Sequence, residues 1–427
     1  MTAELREALG KSKVKCKWLW PRRTGRPLDP AEAFERALAR PLRGAELSKE
    51  GRADKAAIII PDHTRPPSPF LAQLVDAVEA LAREVVIVMA GGTHKPPPLS
   101  KIREALGELV ERKWFGLRYS YARGSPSDFK RLGTTARGTP IEVHREVAEA
   151  DLAISTLCVR PHYFAGWEGG CKAVLPGCSS IDSIRHNHSL AVGCPEAREL
   201  RAEGNPVRMD MEEAGRALAT RVRYRVLDWV ADPYGALAAA YYGGPVEAHR
   251  ACTRVALRHY VVVAPPTQAV ITVARPPLGS TLFQALKAYH LACNVEPKRG
   301  KLKVILIASM EEGVGSEEFA KEAVRYADAT YEEIVRELRE RMLMGEFSEV
   351  FPKLARMAMD AQHAELTVVS PSATGDVKAL LDRIRVPLYE DVAEALRGVE
   401  EAVVLPYGDV SVPISPGSSR NTFMMSV

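Results

Sequence analysis

Residues 56–66 read AAIIIPDHTRP, and this stretch decides the fold class. The short apolar run at 56–60 is rich in isoleucine and stops at Pro61, which predicts a buried strand that ends in a loop. Pro69 then suits the first turn of a helix with apolar residues at helical spacing. The next apolar run, EVVIVM at 84–89, enters the loop AGGTHKPPP. Strand, helix and strand in this order predict a parallel sheet with helical crossovers.

The same alternation continues along the chain and predicts two α/β domains with mainly parallel sheets and an active site in the cleft between them. Residues 1–262, with a further strand at 152–156, form an amino-terminal cofactor-binding domain in this interpretation. Residues 263–427 form a Rossmann-like α/β domain, whose polar tail at 408–427 is either mobile or packed back on the first domain. The elements predicted in the second domain are strands at 269–274, 303–308, 365–370 and 401–405, and helices at 281–293, 316–344 and 376–384.

Length and composition are typical of an ordinary globular protein. The chain has 427 residues, 46% of them apolar and 26% charged, which favours two domains. Its 58 basic and 54 acidic residues leave a net charge of +4, too small for a dedicated nucleic-acid binder. No apolar run approaches 18 residues and no apolar signal peptide opens the sequence, so we expect no membrane span. Seven cysteines without a C-x-x-C pair favour free thiols in a reducing cytoplasm.

Polar, glycine-rich segments follow the predicted strands. Asp62 is suited to a ribose hydroxyl and Arg65 to a carboxylate or phosphate, although these residues taken alone favour an ordinary turn in which Asp62 caps the next helix and Arg65 is solvated. Gly91 and Gly92 allow backbone amides to approach a ligand with His94 at the rim, and a surface loop is the alternative. Because the carboxyl ends of parallel strands face one crevice, these loops are expected to form a ligand site.

The segment with the most candidate functional residues is 160–190, RPHYFAGWEGGCKAVLPGCSSIDSIRHNHSL. The Lys172 amine can bond to a carbonyl-bearing cofactor, and a neutral imidazole such as that of His188 is the commonest metal ligand. Asn187 can orient His188. If the stretch is extended, His186 points to the opposite side and is a second-layer or surface residue.

Two other groups of residues have simple structural interpretations. Cys171 and Cys178 flank Lys172 with poor spacing for zinc, so we interpret them as small buried hydrophobic residues. Gln284 and Lys287 are three residues apart near the start of a predicted helix and project from one face. They are placed to meet a carboxylate, although the pair taken alone favours an exposed helical face.

Together these segments resemble the nickel-dependent lactate racemase family. The similarity runs in order through DHTRP, GGTHKP, the long stretch HYFAGWEGGCKAVLPG followed by NH, and FQALKA. The long stretch is the specific one, and the other three agree with it. The resemblance implies an isomerase, a racemase or epimerase of a small-molecule 2-hydroxy acid, loaded by cofactor-biosynthesis enzymes.

The resemblance also implies a cofactor and residue roles. The cofactor is nickel held by a pyridinium-3,5-bisthiocarboxylic acid mononucleotide derivative, the nickel-pincer nucleotide. The Cα hydrogen leaves as hydride and returns to the other face of a bound 2-keto acid, with one histidine as the base for each enantiomer. The implied roles are attachment of the cofactor to Lys172, nickel ligation by His188, nucleotide contacts by Asp62, His63, Thr64 and Arg65, acid–base catalysis by His94 and His162, and substrate carboxylate binding by Arg65, Gln284 and Lys287.

This sequence departs from the family on the substrate side. Phe283 stands where members that act on lactate carry a tyrosine, and no tryptophan follows Trp229. Phe347 or Phe351 is the candidate for the place of the family's second-domain tryptophan, and Gly279-Ser280-Thr281 replaces a polar run. The implied substrate is therefore a 2-hydroxy acid that need not be lactate.

Two other functions are consistent with these residues. A zinc-dependent hydrolase would use His94, His162 and His188 around the metal and would not need Lys172. A non-catalytic member of the family would bind the nucleotide without turning over a substrate. The sequence leaves the oligomeric state open.

Overall fold

The computed structural model describes residues 2–107, 109 and 116–416. In chain order its strands are β1 (Lys15–Trp18), β2 (Ala53–Pro61), β3 (Ala82–Gly92), β4 (Gly116–Tyr121), β5 (Phe129–Thr134), β6 (Pro140–His144), β7 (Leu152–Ser155), β8 (Pro161–His162), β9 (Gly166–Trp167), β10 (Arg223–Ala231), β11 (Leu237–Gly243), β12 (Val261–Val263), β13 (Ala269–Val273), β14 (Leu302–Ile307), β15 (Ala364–Val369), β16 (Leu388–Tyr389), β17 (Glu401–Leu405) and β18 (Val412–Ile414).

The helices complete the alternation that the sequence predicts. They are α1 (Thr2–Lys11), α2 (Pro30–Ala39), α3 (Leu71–Glu79), α4 (Leu99–Leu106), α5 (Arg145–Ala148), α6 (Ile181–Ser189), α7 (Pro206–Ala219), α8 (Glu247–Tyr260), α9 (Leu282–Ala292), α10 (Glu317–Arg325), α11 (Tyr331–Leu343), α12 (Phe351–Ala361), α13 (Gly375–Arg383) and α14 (Val392–Ala395). Within the described ranges, no helix is both long enough and apolar enough to cross a bilayer.

The described residues divide into two compact units. The larger unit contains residues 23–259 with 347–349, and the smaller unit contains residues 2–22, 260–346 and 350–416. The division near residue 260 lies close to the expected boundary at 262. Residues 2–22 differ from the expectation, because β1 pairs in parallel with β17 and so belongs to the smaller unit. A strand with alternating lysines can join a sheet edge from far away in the sequence, and no local pattern reveals its partner.

The larger unit is built on a six-stranded sheet with the order β11-β10-β7-β2-β3-β4. Every pairing in this sheet is parallel except that of β11 with β10. Side chains alternate across β2, so Ile58 and Ile60 pack with α3 in one core while Ala57 and Ile59 pack with α7 in another. Burial on both faces explains the near-continuous apolar run of this strand.

The smaller unit contains a parallel sheet with the order β1-β17-β13-β14-β15-β16. The prediction of an α/β fold with mainly parallel sheets is therefore confirmed. In the described part of the tail, β18 pairs in parallel with β12, and both strands belong to the smaller unit. The remainder of the tail, residues 417–427, lies outside the described residues.

The single helix predicted at 316–344 was also wrong, since α10 and α11 are separate helices. Thr330 caps α11 by accepting a hydrogen bond from the Glu333 amide, and the Glu333 carboxylate accepts one from the Thr330 amide. This capping box begins a new helix even though the apolar periodicity continues across the break.

Candidate active site

The candidate site lies where the strand order of the larger unit reverses. From β2 the chain proceeds through β3 to β4 on one side, whereas β7 and β10 lie on the other side. Open parallel sheets bind ligands beyond the carboxyl ends of their strands at such a reversal. Asp62 follows β2 directly, His94 follows β3, and Arg160 and His162 follow β7. The topology thus brings the three polar loops to one edge of the sheet.

Asp62 and His94 form a buried carboxylate–imidazole pair at this edge. Asp62 is 4% exposed, and its Oδ2 contacts Nδ1 of His94. Its Oδ1 accepts hydrogen bonds from the Thr64 hydroxyl at 2.8 Å and the Thr64 amide at 3.2 Å. Arg65 Nη1 donates to the Thr64 hydroxyl at 2.7 Å. Burial by itself raises the pKa of Asp62, but His94, Arg65 and these hydrogen bonds outweigh burial and hold the pKa well below its usual range. Asp62 is therefore an anion throughout the physiological pH range.

Glu168 joins this cluster to the loop that follows β7. Its Oε1 forms an ion pair with Nε of Arg65 at 2.8 Å, and its Oε2 accepts a hydrogen bond from Nε of Arg160 at 2.6 Å. Both arginine side chains are largely buried, which makes such pairs more persistent than surface ion pairs. Arg65 is thus fixed through Nε and Nη1 by groups from both loops.

A buried arginine holds the loop between Ala165 and Gly170. Arg208 on α7 is fully buried, and its guanidinium donates to the carbonyl oxygens of Ala165 at 3.3 Å, of Gly169 at 3.1 Å, and of Trp167. Three carbonyl dipoles directed at one cation replace the water that the guanidinium loses on burial. The sequence alone did not identify Arg208, because it lies on a helix whose pattern is that of an ordinary amphipathic segment.

Two more buried side chains complete this support. Asp228 on β10 accepts a hydrogen bond from the Gly170 amide at 2.6 Å, and burial raises its pKa to about 7 although that amide and Arg208 oppose the rise. His249 Nε2 donates to the Glu168 carbonyl at 3.0 Å. Gly169 and Gly170 have φ values of +84° and +59°, and a Cβ at Gly170 would lie 2.9 Å from Cγ of His249. The double glycine is therefore required by backbone conformation and by close packing.

Lys172 follows this loop in a short 3₁₀ turn and is half-buried. Burial lowers the pKa of Lys172 to about 8. Arg65 and Arg208 add to the decrease, and Glu168 and Asp62 oppose it. A neutral amine is a nucleophile and an ammonium group is not. The lowered pKa therefore leaves a larger share of Lys172 in the neutral, nucleophilic form near neutral pH than an ordinary lysine has.

This lowered pKa gives a measurable expectation for the apoprotein. The acylation rate of Lys172 should rise with pH and level off above about pH 9, whereas an ordinary lysine, with a pKa of about 10.4, continues to gain reactivity to about pH 11. Competitive acetylation followed by peptide mass spectrometry measures both, with the exposed Lys11 as the internal standard. A Lys172 profile that follows the standard would contradict the lowered pKa.

His188 lies on α6 with its ring oriented by Asn187. The amide of Asn187 donates to the Val207 carbonyl at 3.1 Å and to Asp210 at 2.9 Å, so its Oδ1 accepts from His188 Nδ1 at 3.2 Å. Burial lowers the pKa of His188 to about 3, and the nearby charge of Lys172 contributes to the decrease. A neutral ring that donates through Nδ1 has its lone pair on Nε2, which is the form that binds metals.

His162 is buried and close to the same region. The amide of Ala165 donates to its Nδ1 at 3.2 Å. The ring of Phe164 lies between His162 and His188, with centroids 4.6 Å from His162 and 4.9 Å from His188. The same aromatic ring therefore makes edge-to-face contacts with both imidazoles.

The other candidate residues of the larger unit differ in burial and in secondary structure; they are His63, His186, Cys171 and Cys178. His63 is half-buried in the loop after β2. The extended conformation assumed for His186 was wrong, since the residue is helical; it stacks on Phe347 at 3.7 Å within the larger unit. Cys171 and Cys178 are fully buried free thiols whose pKa burial raises to about 12.

Gln284 and Lys287 lie on α9 of the smaller unit, which Thr281 caps through a hydrogen bond to the Gln284 amide at 3.4 Å. Both side chains are half-buried. Among the described residues, Oε1 of Gln284 is a buried acceptor without a hydrogen-bond donor. Such an atom is costly to leave unpaired and is suited to a ligand that brings a donor.

Among residues 2–107, 109 and 116–416, no group of three or more histidine, cysteine, aspartate or glutamate side chains is arranged to hold a metal ion. A zinc hydrolase of the expected kind needs three protein ligands. The charge of Lys172 contributes to the lowered pKa of His188, whose ring has its Nε2 lone pair available.

The chain is similar in sequence to known lactate racemases. Residues 6–199 match the family model of the lactate racemase N-terminal domain. Lactate racemase from Thermoanaerobacterium thermosaccharolyticum is 32% identical over 299 residues, which are 67% of this chain and 68% of that protein. Lactate racemase from Lactiplantibacillus plantarum is 29% identical over 301 residues, 68% of this chain and 69% of that protein.

Solved structures show the same fold. The lactate racemase apoprotein from T. thermosaccharolyticum superimposes with a TM-score of 0.80 at 22% identity, covering 94% of this chain and 95% of that one. A protein from Thermotoga maritima gives a TM-score of 0.73 at 15% identity, covering 92% and 100%. With sequence similarity across two thirds of its length, a matching amino-terminal family model and the same fold, the chain belongs to the lactate racemase family.

Proposed function

We propose that this protein racemises or epimerises a 2-hydroxy acid with a nickel-pincer nucleotide attached to Lys172. The observation that carries the proposal is the shared environment of Lys172 and His188, since the charge of Lys172 contributes to the lowered pKa of His188. The first has an amine whose pKa is about 8, and the second has a neutral ring oriented by Asn187 with its Nε2 lone pair available. Membership of a family whose characterised relatives are lactate racemases supports the same chemistry.

The residues present fit the proposed cofactor. Lys172 would carry it, His188 would ligate its nickel, and the loop Asp62–Arg65 would contact the nucleotide. Because the cofactor would bring its own sulfur and carbon donors to nickel, one protein imidazole would be needed rather than three. When bound, this group supplies a reversible acceptor for the hydride that leaves Cα.

The protein's own side chains perform the acid–base and binding roles. His94, backed by the Asp62 anion, would take the proton of the substrate hydroxyl as Cα loses its hydride. His162 is the second imidazole proposed to act on the substrate. Arg65, Gln284 and Lys287 would hold the carboxylate through charge and hydrogen bonds. Phe164 would keep water from the bound keto acid.

The substrate side of the smaller unit distinguishes this chain from relatives that act on lactate. The ring of Phe283 packs against Phe319 at 5.3 Å, and the amine of the fully buried Lys353 lies 4.5 Å from its centroid. A tyrosine hydroxyl is absent at this position, and a buried amine with a pKa lowered by burial to about 7 lies beside it. We therefore include 2-hydroxy acids that are larger or more polar than lactate among the proposed substrates.

Intact-protein mass spectrometry tests the proposal directly. The chain should be produced together with the cofactor-biosynthesis enzymes, and Lys172 should gain the mass of the nucleotide with about one nickel per chain. A panel of enantiopure 2-hydroxy acids should then show loss of optical rotation with the Cα hydrogen retained in deuterated water. An unmodified Lys172 under these conditions would overturn the proposal, and entry of solvent deuterium at Cα would exclude the hydride route.

Asn187 offers a prediction for metal retention. Asn187→Ala removes the acceptor for Nδ1 of His188, so nickel affinity of the loaded protein should fall about 10- to 100-fold. Nickel remaining after dialysis against a graded series of chelator concentrations measures this change. Asn294→Ala removes a buried asparagine from the smaller unit and is the matched control, which should retain nickel like the wild type. Equal retention by both variants would contradict the orienting role.

A further inference from the structure

A cleft of about 940 Å³ opens at the amino ends of the strands in the larger unit, at the sheet edge opposite the candidate active site. Its walls are residues at and just before the starts of β2, β3 and β10, together with Asp151 before β7. Strand β2 has nine residues, so roughly 30 Å separate its start in the cleft from Asp62 beyond its other end. A ligand in this cleft would therefore lie far from the residues proposed to act on the 2-hydroxy acid.

Arginine side chains dominate the lining of this cleft. Among the described residues the lining includes five arginines and two aspartates, and no lysine, glutamate or aromatic side chain. The five are Arg52, Arg83, Arg221, Arg223 and Arg225. A concave surface that is lined mostly by one sign of charge concentrates the electric field and attracts ions of the opposite sign. The cleft therefore favours an anion.

Three of these charged groups are used by the fold. The guanidinium of Arg223 donates to the backbone carbonyl oxygens of residues 50–52, just before β2. Arg225 binds the Glu50 carboxylate through Nε at 2.5 Å and Nη2 at 3.2 Å. Oδ2 of Asp151 accepts two backbone amides of β2, at 2.8 and 3.0 Å. These groups fix the shape of the cleft and have little capacity left for a ligand.

The other three arginines are exposed and retain donors for a ligand. Arg83 pairs with Asp54 at 3.4 Å, but the two side chains are 87% and 83% exposed, so this pair contributes little. Arg221 makes a long contact from Nη2 to the Leu132 carbonyl at 3.4 Å. Within the described ranges, neither Arg52 nor Arg221 has an acidic partner. Three exposed guanidinium groups in one cleft are thus available to a mobile anion.

We propose that this cleft is a binding site for an anion that carries two or more adjacent phosphate groups. The planar guanidinium fork matches a pair of phosphate oxygens and binds them bidentately. The starts of β2 and β10 lie two strand spacings apart, roughly 10 Å, because β7 lies between them. A short chain of phosphates fits the separation of Arg52 and Arg221 better than a single phosphate does. The cleft volume also lies within the range of about 300–1,000 Å³ that is typical of small-molecule sites.

Inorganic polyphosphate and the phosphate tail of a nucleotide share this chemistry. Because no aromatic side chain among the described residues lines the cleft, a nucleotide base would gain no stacking there. Inorganic triphosphate and ATP are therefore expected to bind with affinities within about 3-fold of each other. A much tighter complex with ATP would still support the phosphate site and would identify a nucleotide as the source of the phosphates.

Isothermal titration calorimetry of the full-length protein with inorganic triphosphate tests the site. Binding should be saturable at one triphosphate per chain, with a Kd of about 100 μM or tighter at about 150 mM salt. The affinity should increase at lower salt because the contacts are between charges. Citrate should bind at least about 10-fold more weakly, since its carboxylates branch from one short skeleton and do not form a chain. The absence of saturable binding, or equal affinity for citrate, would overturn the proposal.

Variants of exposed residues locate the binding. Arg52→Gln and Arg221→Gln should each weaken triphosphate binding by about 10-fold or more, because each removes charge-assisted hydrogen bonds. Asp54→Asn should strengthen binding by about 2- to 5-fold, because it removes an anion from the lining and releases Arg83. Arg36→Gln is the matched control, since Arg36 is an exposed arginine on α2 that does not line the cleft.

The control should bind triphosphate like the wild type, and all four variants should keep the wild-type midpoint of urea denaturation. A loss of affinity in Arg36→Gln equal to that in the cleft variants would mean that the protein binds anions through its overall charge, and would overturn the site. The titrations need neither the proposed cofactor nor a 2-hydroxy acid. Their outcome is therefore independent of the proposed function.

Discussion

The Lys172→Arg variant is expected to carry no cofactor and to have racemase activity reduced by at least about 1,000-fold, because it removes the one amine that can be acylated. Arginine keeps the positive charge and much of the length of the side chain. Its guanidinium stays protonated at every usable pH, whereas burial lowers the pKa of the Lys172 amine to about 8. The variant thus tests covalent attachment rather than charge.

The measurements are intact mass, nickel content and racemisation after production with the cofactor-biosynthesis enzymes. Lys101→Arg is a suitable control, since Lys101 is an exposed residue on α4 that pairs with Glu104. The control should load and racemise like the wild type. Full nickel occupancy together with normal turnover in Lys172→Arg would mean that the cofactor is held by another residue or is not the one proposed.

Arg208→Met is expected to destabilise the protein by about 3–5 kcal/mol, because it removes a buried cation that satisfies three carbonyl groups. The carbonyls of Ala165, Trp167 and Gly169 remain buried without that donor. Because methionine fills much of the same volume as arginine, the decrease in the free energy of unfolding measures the lost hydrogen bonds more than lost packing. The loop that carries Glu168 and precedes Lys172 should loosen first.

Urea denaturation and protease sensitivity of the loop measure this effect. Arg216→Met on the same helix is the matched control, because Arg216 is 61% exposed and has only a 3.5 Å contact with Glu212. Its effect on stability should stay within about 1 kcal/mol. A similar small change for Arg208→Met would show that the loop holds its shape without the guanidinium.

Much of the fold follows from local pattern, and the exceptions have specific physical causes. The strand predicted at 401–405 coincides with β17, and the runs that became β2 and β3 are recognisable because both faces of their sheet are buried. The break between α10 and α11 depends on the capping box of Thr330 and Glu333. This capping box starts a new helix although the helical spacing of apolar residues continues across the break. The partner of β1 is a strand almost 400 residues away, which no window of sequence reveals.

The candidate site shows the same contrast. The loops that bear Asp62, His94 and Lys172 follow strands, so their meeting at the carboxyl edge of one sheet was predictable from topology rules. The pairing of Asp62 with His94 was not expected, since the family resemblance implied that Asp62 contacts the nucleotide. Arg208, Asp228 and His249 were also missed, because buried polar residues on helices and strands have no periodic signature. Only their partners in space reveal them.

The interleaved chain path of the two units has a consequence for how the protein is made. Residues 23–259 form nearly all of the larger unit. Almost the whole of that unit has therefore been synthesised once residue 259 leaves the ribosome. The smaller unit depends on β17, the neighbour of β1 in its sheet, so residues 15–18 must wait for the synthesis of about 380 further residues. At about 5–20 residues per second this delay is roughly 20–80 s. Translation that stops before β17 should therefore yield a structured histidine-bearing unit preceded by an unpaired, lysine-rich segment open to proteolysis.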